Sequence, residues 1–403
     1  MDYDYGIPTL LLQFLGACLF SDAKGYYTGL SETARSKLEM QGQSFGVTAW
    51  FYRYLCDILP PRQKTQYQKN YLERQVKALM DAQELKRIYH IFSAHNLRFV
   101  PIKGADLTYR LYPDIALRMF MDWDIWFHPD DCKRALDVLK EDGWRVPKSY
   151  SANHETVMKF ASHHFSPHLR GQYAIEPHFR LANFKGVDLQ EMWKKTIQYP
   201  DGEGQRVLSP EMNVLMLTRH AASDSYYHAH LPKLLTDVAM VMQKEEVDFP
   251  KLRSIAACWH LPYPGDMLAA FPEFFPPSKI EQFNANPQKA TEFRRLFELR
   301  GKMDNKPNRV ALLLDRYGAS RQMRNGVLNY ILSLKPDKIR HIYLLPQNGA
   351  WGSVAWAYIC YLSTRIWWVL STLIQRDHLL YQYSEIVESI ESEDKSPNKT
   401  GRI

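Results

Sequence analysis

Residues 99–127, FVPIKGADLTYRLYPDIALRMFMDWDIWF, decide the fold. The stretch opens on a short apolar run, Phe99-Val100-Pro101-Ile102, that stops at Lys103-Gly104. A short helical piece and a Tyr112-Pro113-Asp114 turn follow, then a second apolar run that carries Asp122 and Asp124. Two carboxylates in an apolar strand are costly to bury unless something pairs with them. Side chains at i and i+2 leave the same face of a strand, with their Cα atoms about 6–7 Å apart. From there two aspartates lean together onto one or two divalent cations, a two-metal pair being about 3.5–4 Å apart.

Outward from this stretch the patterns are mostly helical. Upstream, residues 62–95 place Leu72, Val76, Leu79, Met80, Leu85, Ile88 and Ile91 at three- and four-residue spacing, which predicts a long helix leading into the first strand. Residues 1–60 read as helices over Leu10–Phe20 and Val47–Leu59, the latter ending at Pro60-Pro61. Downstream, the second run ends at His128-Pro129, and Asp130-Asp131 supply an N-cap and a first-turn carboxylate for a helix to Glu141. Gly143 stops that helix, and Trp144-Arg145-Val146 is a third strand. Partial alternation around Gly171 predicts a hairpin, Lys159–Leu169 against Gln172–Leu181. Past the loop Asp201-Gly202-Glu203-Gly204, helices are expected at Pro210–Ser223, Leu231–Glu246, Glu281–Leu299, Val310–Arg316, Gln322–Leu334 and Ser353–Ile374. The polar tail Ser392–Ile403 has little to bury.

Several function classes are disfavoured. The chain has 403 residues, 45% hydrophobic and 24% charged, with 51 basic and 44 acidic residues well mixed, so no like-charged arm points to nucleic acid. Five scattered cysteines form no C-x-x-C pair, which leaves no zinc knuckle or disulfide framework and suits a reducing cytoplasm. Gly42-Gln43-Ser44-Phe45-Gly46 matches a nucleophile elbow, but the polar, helical residues before it replace the strand that motif needs. His154, His163, His164, His168 and His178 invite a zinc reading, yet Pro167 interrupts the helical spacing of His164 and His168 and no cysteine lies near. No P-loop, G-x-G-x-x-G, H-E-x-x-H or His-Asp dipeptide occurs. Ile7–Phe20 follows an acidic, not basic, start and reads as a buried helix instead of a signal peptide. Trp351–Ile374 carries Arg365 near its middle and spreads its aromatics throughout, which predicts a core or interface helix and no transmembrane span, while leaving a peripheral membrane contact open.

Lys103-Gly104, Leu111-Tyr112-Pro113-Asp114, Arg118 four residues ahead of Asp122-Trp123-Asp124, and Ile175-Glu176-Pro177-His178-Phe179 come in that order. This set resembles an uncharacterised bacterial branch of the DNA polymerase β-like nucleotidyltransferases, over about residues 95–245. The resemblance implies an α+β fold with a small mixed sheet carrying the carboxylates, flanked by N-terminal helices and a helical C-terminal region. It implies a helical N-terminal region over 1–95, an α/β core over 96–204, a helical C-terminal domain over 205–390 and a disordered tail over 391–403. The activity implied is Mg²⁺-dependent transfer of an NMP from an NTP, ATP among them, to an acceptor hydroxyl or phosphate, with Mn²⁺ as an alternative ion.

On that resemblance Asp122, Asp124 and Glu176 are the metal-holding, catalytic residues, Glu176 also taking the acceptor's proton. Lys103 and Gly104 are nucleotide-binding candidates: glycine lets backbone N–H groups approach a phosphate, and Lys103 adds a point charge. The wider superfamily has Gly-Ser or Gly-Gly there, so a phosphate-binding hydroxyl is missing. Arg118 serves either a phosphate or a carboxylate ion pair, and His178, at the same strand parity as Glu176, supports the metal ligands or touches substrate. His220, His228 and His230 fall in the helical part, where packing and cleft roles are expected. Two other readings differ in class: a non-catalytic or antitoxin-like binding protein on the same fold, or a peripheral component of a surface-polysaccharide or modified-peptide pathway. The acceptor, the base of the NTP and the oligomeric state are not written in the sequence.

Overall fold

The computed structural model describes residues 7–146, 163–181, 184, 187–199, 205–223, 227–303, 352 and 355–359. The chain starts with α1 (Thr9–Phe20), α2 (Ala23–Gly29), α3 (Glu32–Ser44) and α4 (Thr48–Leu55). Asp22 and Ser31 cap α2 and α3 by accepting from the N–H groups of Lys24 and Ala34. Gly42, Gln43 and Ser44 form the last turn of α3, so no strand precedes that glycine-rich stretch. The long α5 (Pro61–Ala94) begins on a proline, whose missing N–H costs nothing in the first turn. Its C-terminal half buries Leu85, Ile88 and Phe92, whereas Leu72, Val76 and Leu79 stay exposed.

The middle of the chain forms the sheet. Here β1 (Phe99–Pro101), α6 (Gly104–Arg110), β2 (Trp123–Phe127), α7 (Cys132–Glu141), β3 (His168–Arg170) and β4 (Tyr173–His178) follow one another. After them α8 (Leu189–Lys194) leads into the separate pair β5 (Thr196–Gln198) and β6 (Arg206–Leu208). The order is β1-β2-β4-β3, with β1 antiparallel to β2, β2 parallel to β4 and β4 antiparallel to β3. Period-2 alternation sorts β2 cleanly. Trp123, Ile125 and Phe127 pack on α5 and α7, each buried apolar side chain contributing about 1.5–3 kcal/mol. Asp124 and Trp126 look the other way, where Trp126 meets Trp193 edge-on at 4.9 Å. The fold is α+β, as the resemblance implies.

Some sequence expectations shift. The third strand shrinks to one bridge, Arg145 to Leu169, because Trp144 turns into the core against Trp123 instead of extending the sheet. The hairpin turns at Gly171, which takes a left-handed φ of +59°, and its regular arms are β3 and β4 alone. Further back, the first arm rejoins at a His164–His178 bridge, and residues 159–162 lie outside the described part. Asp131 stands at the N-cap of α7 but does not cap it. Its carboxylate accepts instead from the backbone N–H and Nε of Arg98, at 3.0 and 2.7 Å.

The C-terminal helices are α9 (Pro210–Ser223), α10 (Tyr227–Lys244), α11 (Phe249–Cys258), α12 (Pro264–Leu268), α13 (Pro277–Phe283) and α14 (Pro287–Met303). The single helix expected over Glu281–Leu299 is two, broken by Asn284 in a left-handed conformation and restarted by Pro287. One continuous apolar cluster joins α1 and α4 to Val100, Ile102 and Trp126 of the sheet region and to α9–α12. The sheet is therefore sandwiched, with α5 and α7 on one face and this cluster on the other. Cys18, Cys56, Cys132 and Cys258 are free thiols. Among the described residues no helix is long and apolar enough to cross a membrane. The stretches 310–316 and 322–334, the 391–403 tail and all but a few residues of 351–374 lie outside the described part.

Candidate active site

Just past β1 the Ile102 N–H donates to the Asp124 carbonyl at 3.0 Å, and this pins the start of β2 beside the Lys103-Gly104 turn. Lys103 takes φ +51° and ψ −124°, a conformation that favours glycine. Its ammonium reaches Asp124 Oδ1 at 2.8 Å. Gly104 has no room for a side chain: a Cβ would sit 2.5 Å from Arg118 Nη1 and 2.5–2.6 Å from Phe120.

Parallel pairing of β2 and β4 sets Asp124 directly beside Glu176 and Trp126 beside His178. His178 Nε2 lies 2.8 Å from the same Oδ1 that Lys103 holds. A carboxylate only accepts, so the ring donates through Nε2, leaving Nδ1 buried and, among the described residues, without a partner. One ligand atom each from Asp124, Glu176 and His178 lie within 4.8 Å of one another. Asp122 is not in this compact trio. It precedes β2 in a bend, not on the strand as the i, i+2 reading expects, although its charge acts on Asp124, Glu176 and Lys103.

The electrostatics separate the three carboxyls. Burial pushes Asp124 up, but the Lys103 ammonium and the His178 hydrogen bond overcome it and hold the group well below the usual carboxylate range. Burial, then the charge of Asp124, raises Asp122. Glu176 is raised by burial and by both aspartates, against an opposing contribution from His164. Burial drives His178 down to about 4 despite Asp124, so it is a neutral ring near pH 7. His163 and His164 lie against it with ring centroids 5.3 and 5.4 Å away.

Arg118 does not point along the strand. It leaves the chain before β2 and forms a bidentate pair with Asp237 of α10, Nε to Oδ1 at 2.7 Å and Nη2 to Oδ2 at 2.8 Å. Tyr112 O–H donates to the same Asp237 Oδ1 at 2.7 Å. Of the two roles that the sequence leaves open for Arg118, the ion pair is present. Nη1, the nitrogen beside Gly104, is buried and has no hydrogen-bond partner among the described residues. One turn before Asp237 comes Lys233, partly buried, whose charge acts on Asp122. Burial and Arg118 push its pKa down to about 8 against the pull of Asp237, Asp122 and Asp124.

A family model described as an uncharacterised nucleotidyltransferase matches residues 45–264, more than half of the chain and all of this constellation. The chain belongs to that nucleotidyltransferase family. It is a transferase of nucleotidyl groups. No curated protein and no solved structure matches the chain.

In this nucleotidyltransferase the structure brings together Lys103, Gly104, Arg118, Asp124, Glu176 and His178, with Asp122 at the margin. Sequence reasoning missed Lys233 and Asp237, which lie more than a hundred residues from the strand they serve and match no motif. Lys233 and Asp237 do share helical i, i+4 spacing, but nothing in the sequence says which face meets the site. Of the other histidines, His154 and the side chains of His228 and His230 lie outside the described part.

Proposed function

We propose that the protein moves an NMP from an NTP to an acceptor hydroxyl or phosphate with the help of Mg²⁺, or Mn²⁺ in its place. The reading is carried by one observation: ligand atoms of Asp124, Glu176 and His178 converge within 4.8 Å of one another. The donor set suits a hard divalent ion, since carboxylate oxygens dominate and one ammonium already stands on Asp124 Oδ1. The orphaned Arg118 Nη1 and the side-chain-free Gly104 beside it suit a polyphosphate.

Asp122, Asp124 and Glu176 would hold the ion, and His178 fixes the orientation of Asp124. When bound, the ion neutralises phosphate charge and lowers the pKa of the acceptor group. The chain's own residues do the rest. Gly104, Arg118 Nη1 and the ammoniums of Lys103 and Lys233 hold the triphosphate with its α-phosphorus facing the carboxylates. The acceptor oxygen attacks that phosphorus, the bond to the bridging oxygen breaks, and pyrophosphate leaves with the electron pair. Glu176, whose raised pKa improves it as a base, takes the acceptor's proton. The helical region after residue 204 helps to choose the acceptor, and the reducing cytoplasm is the compartment that the scattered cysteines suit.

The test is incubation with each α-labelled NTP, Mg²⁺ or Mn²⁺, and cell extract. Label carried onto an extract component by the wild type and not by Asp124→Asn is expected. Divalent-dependent NTP binding with no transfer from any of the four nucleotides refutes turnover and leaves a binding protein.

A further inference from the structure

Strand β1 is an edge strand, and its free side faces β6, away from β2 and the carboxylates. There α5, α6 and β6 border a half-open cavity of about 680 Å³. That volume is within the range of pockets that take small organic ligands, about 300–1,000 Å³. None of Lys103, Asp122, Asp124, Glu176 or His178 lines it. It is a separate place.

The lining combines rings with cations. Tyr89, Tyr109 and Tyr199 form aromatic wall. Two of the arginines are already neutralised: Arg98 donates to Asp131, and Arg110 forks onto Asp106 at 2.7 Å while also reaching Glu245. They are wall, held in place by their own acids. Arg206 is different. Its Nε and Nη2 donate to Thr196 Oγ1 and to the Thr196 carbonyl, at 2.6 and 2.7 Å, and both acceptors are neutral. Among the described residues no carboxylate pairs with Arg206, and none pairs with Lys86, which borders the cavity from α5. The guanidinium is thus fixed in direction by two hydrogen bonds to neutral acceptors, and among the described residues its charge has no carboxylate partner.

We propose that this cavity binds a phosphate monoester carried on a flat ring, of nucleoside monophosphate size, with Arg206 and Lys86 on the phosphate and the tyrosines on the ring. A planar guanidinium with free donors matches phosphate oxygens, and the ammonium adds a point charge. Tyrosine rings offer large apolar faces to a flat partner. The proposal goes beyond nucleotidyl transfer and does not depend on it, because the ligand is held on other residues and needs no divalent ion.

Calorimetric titration of AMP into the full chain in excess EDTA is the test. EDTA removes divalent-dependent binding at the carboxylate site, and the Arg206 and Lys86 variants assign the remaining heat to this cavity. We expect saturable binding by the wild type, lost at least tenfold in the pair Lys86→Glu and Arg206→Glu and retained in Asp122→Asn. Lys86→Gln alone, a mild surface change, weakens binding severalfold and serves if the charge-reversed pair does not fold. No binding at millimolar AMP overturns the proposal. Binding that survives both reversals also overturns it, and so does inorganic phosphate binding as tightly as AMP, since the rings then contribute nothing. Failure here leaves divalent-dependent NTP binding untouched, and the converse holds.

Discussion

Replacing Asp237 by Asn tests the buried connection between the sheet and the C-terminal helices. The Asp237 side chain is fully buried and that of Arg118 is 3% exposed, so water cannot take over the lost contacts. Removing the charge of one partner in a buried pair leaves the other uncompensated and costs about 3–5 kcal/mol. Asn keeps one acceptor oxygen, but three donors now compete for it, from Arg118 Nε, Arg118 Nη2 and Tyr112 O–H. The lower end, about 3 kcal/mol, is therefore the expectation for Asp237→Asn. With a urea slope of about 3 kcal/mol/M, the midpoint falls by about 1 M. Urea unfolding followed by tryptophan fluorescence reads this directly. The double variant Arg118→Met with Asp237→Leu recovers most of the loss, because no charge is then left buried. A shift under about 0.3 M in the single variant, below 1 kcal/mol at that slope, refutes the account of Arg118 as held by Asp237.

Other outcomes follow from the same geometry. Gly104→Ala forces a methyl against Arg118 and Phe120 and is expected to cost about 1–3 kcal/mol of stability along with NTP affinity, measured by denaturation and calorimetry. Asp122→Asn and Asp124→Asn both abolish label transfer but move stability in opposite directions at pH 7. The folded pKa of Asp122 is raised, so its charge opposes folding above the unfolded value of about 3.9, and Asn relieves it. The folded pKa of Asp124 is depressed, so its charge stabilises above about 3.9, a gain lost only as pH falls toward the folded value, and Asn removes it. Equal midpoints for the two variants would sink that assignment. NTP binding weakens on the alkaline side near the Lys233 pKa of about 8, and Lys233→Arg, charged throughout, pushes that limb upward, as a pH series of Kd values reports.

Much of the site was legible because its parts are local. The apolar runs around Lys103-Gly104 and Asp124 carry strand periodicity within a few residues, and Ile175-Glu176-Pro177-His178 carries the parity that puts Glu176 and His178 on one face. Their meeting was not legible. Whether Asp124 faces Glu176 or lies two residues away is a register between strands some fifty residues apart, which tertiary packing fixes and no local pattern records. Asp122 looked like a strand residue because alternation includes it, yet β2 starts only at Trp123. Arg118 illustrates the limit best. Its spacing to Asp122 suggests a shared face, but a fully buried carboxylate on α10 is a stronger partner than open solvent at the strand end, and nothing near residue 118 announces Asp237.

The Lys103 contact has a consequence for the order in which ligands enter. Asp124 already has a cation, so on the proposed reading a divalent ion arriving by itself would have to displace an ammonium held at 2.8 Å. A nucleotide arriving by itself meets carboxylates that repel its phosphates. On the proposed reading Asp124 would help hold the ion, and the Lys103 ammonium would be released from Asp124 to a phosphate oxygen, exchanging one oxygen anion for another. Linkage then requires that each ligand raise the affinity for the other by the same factor. On the proposed reading the carboxylate site would be a coincidence detector, answering weakly to a divalent ion or a triphosphate alone and assembling its charge pattern around the two together.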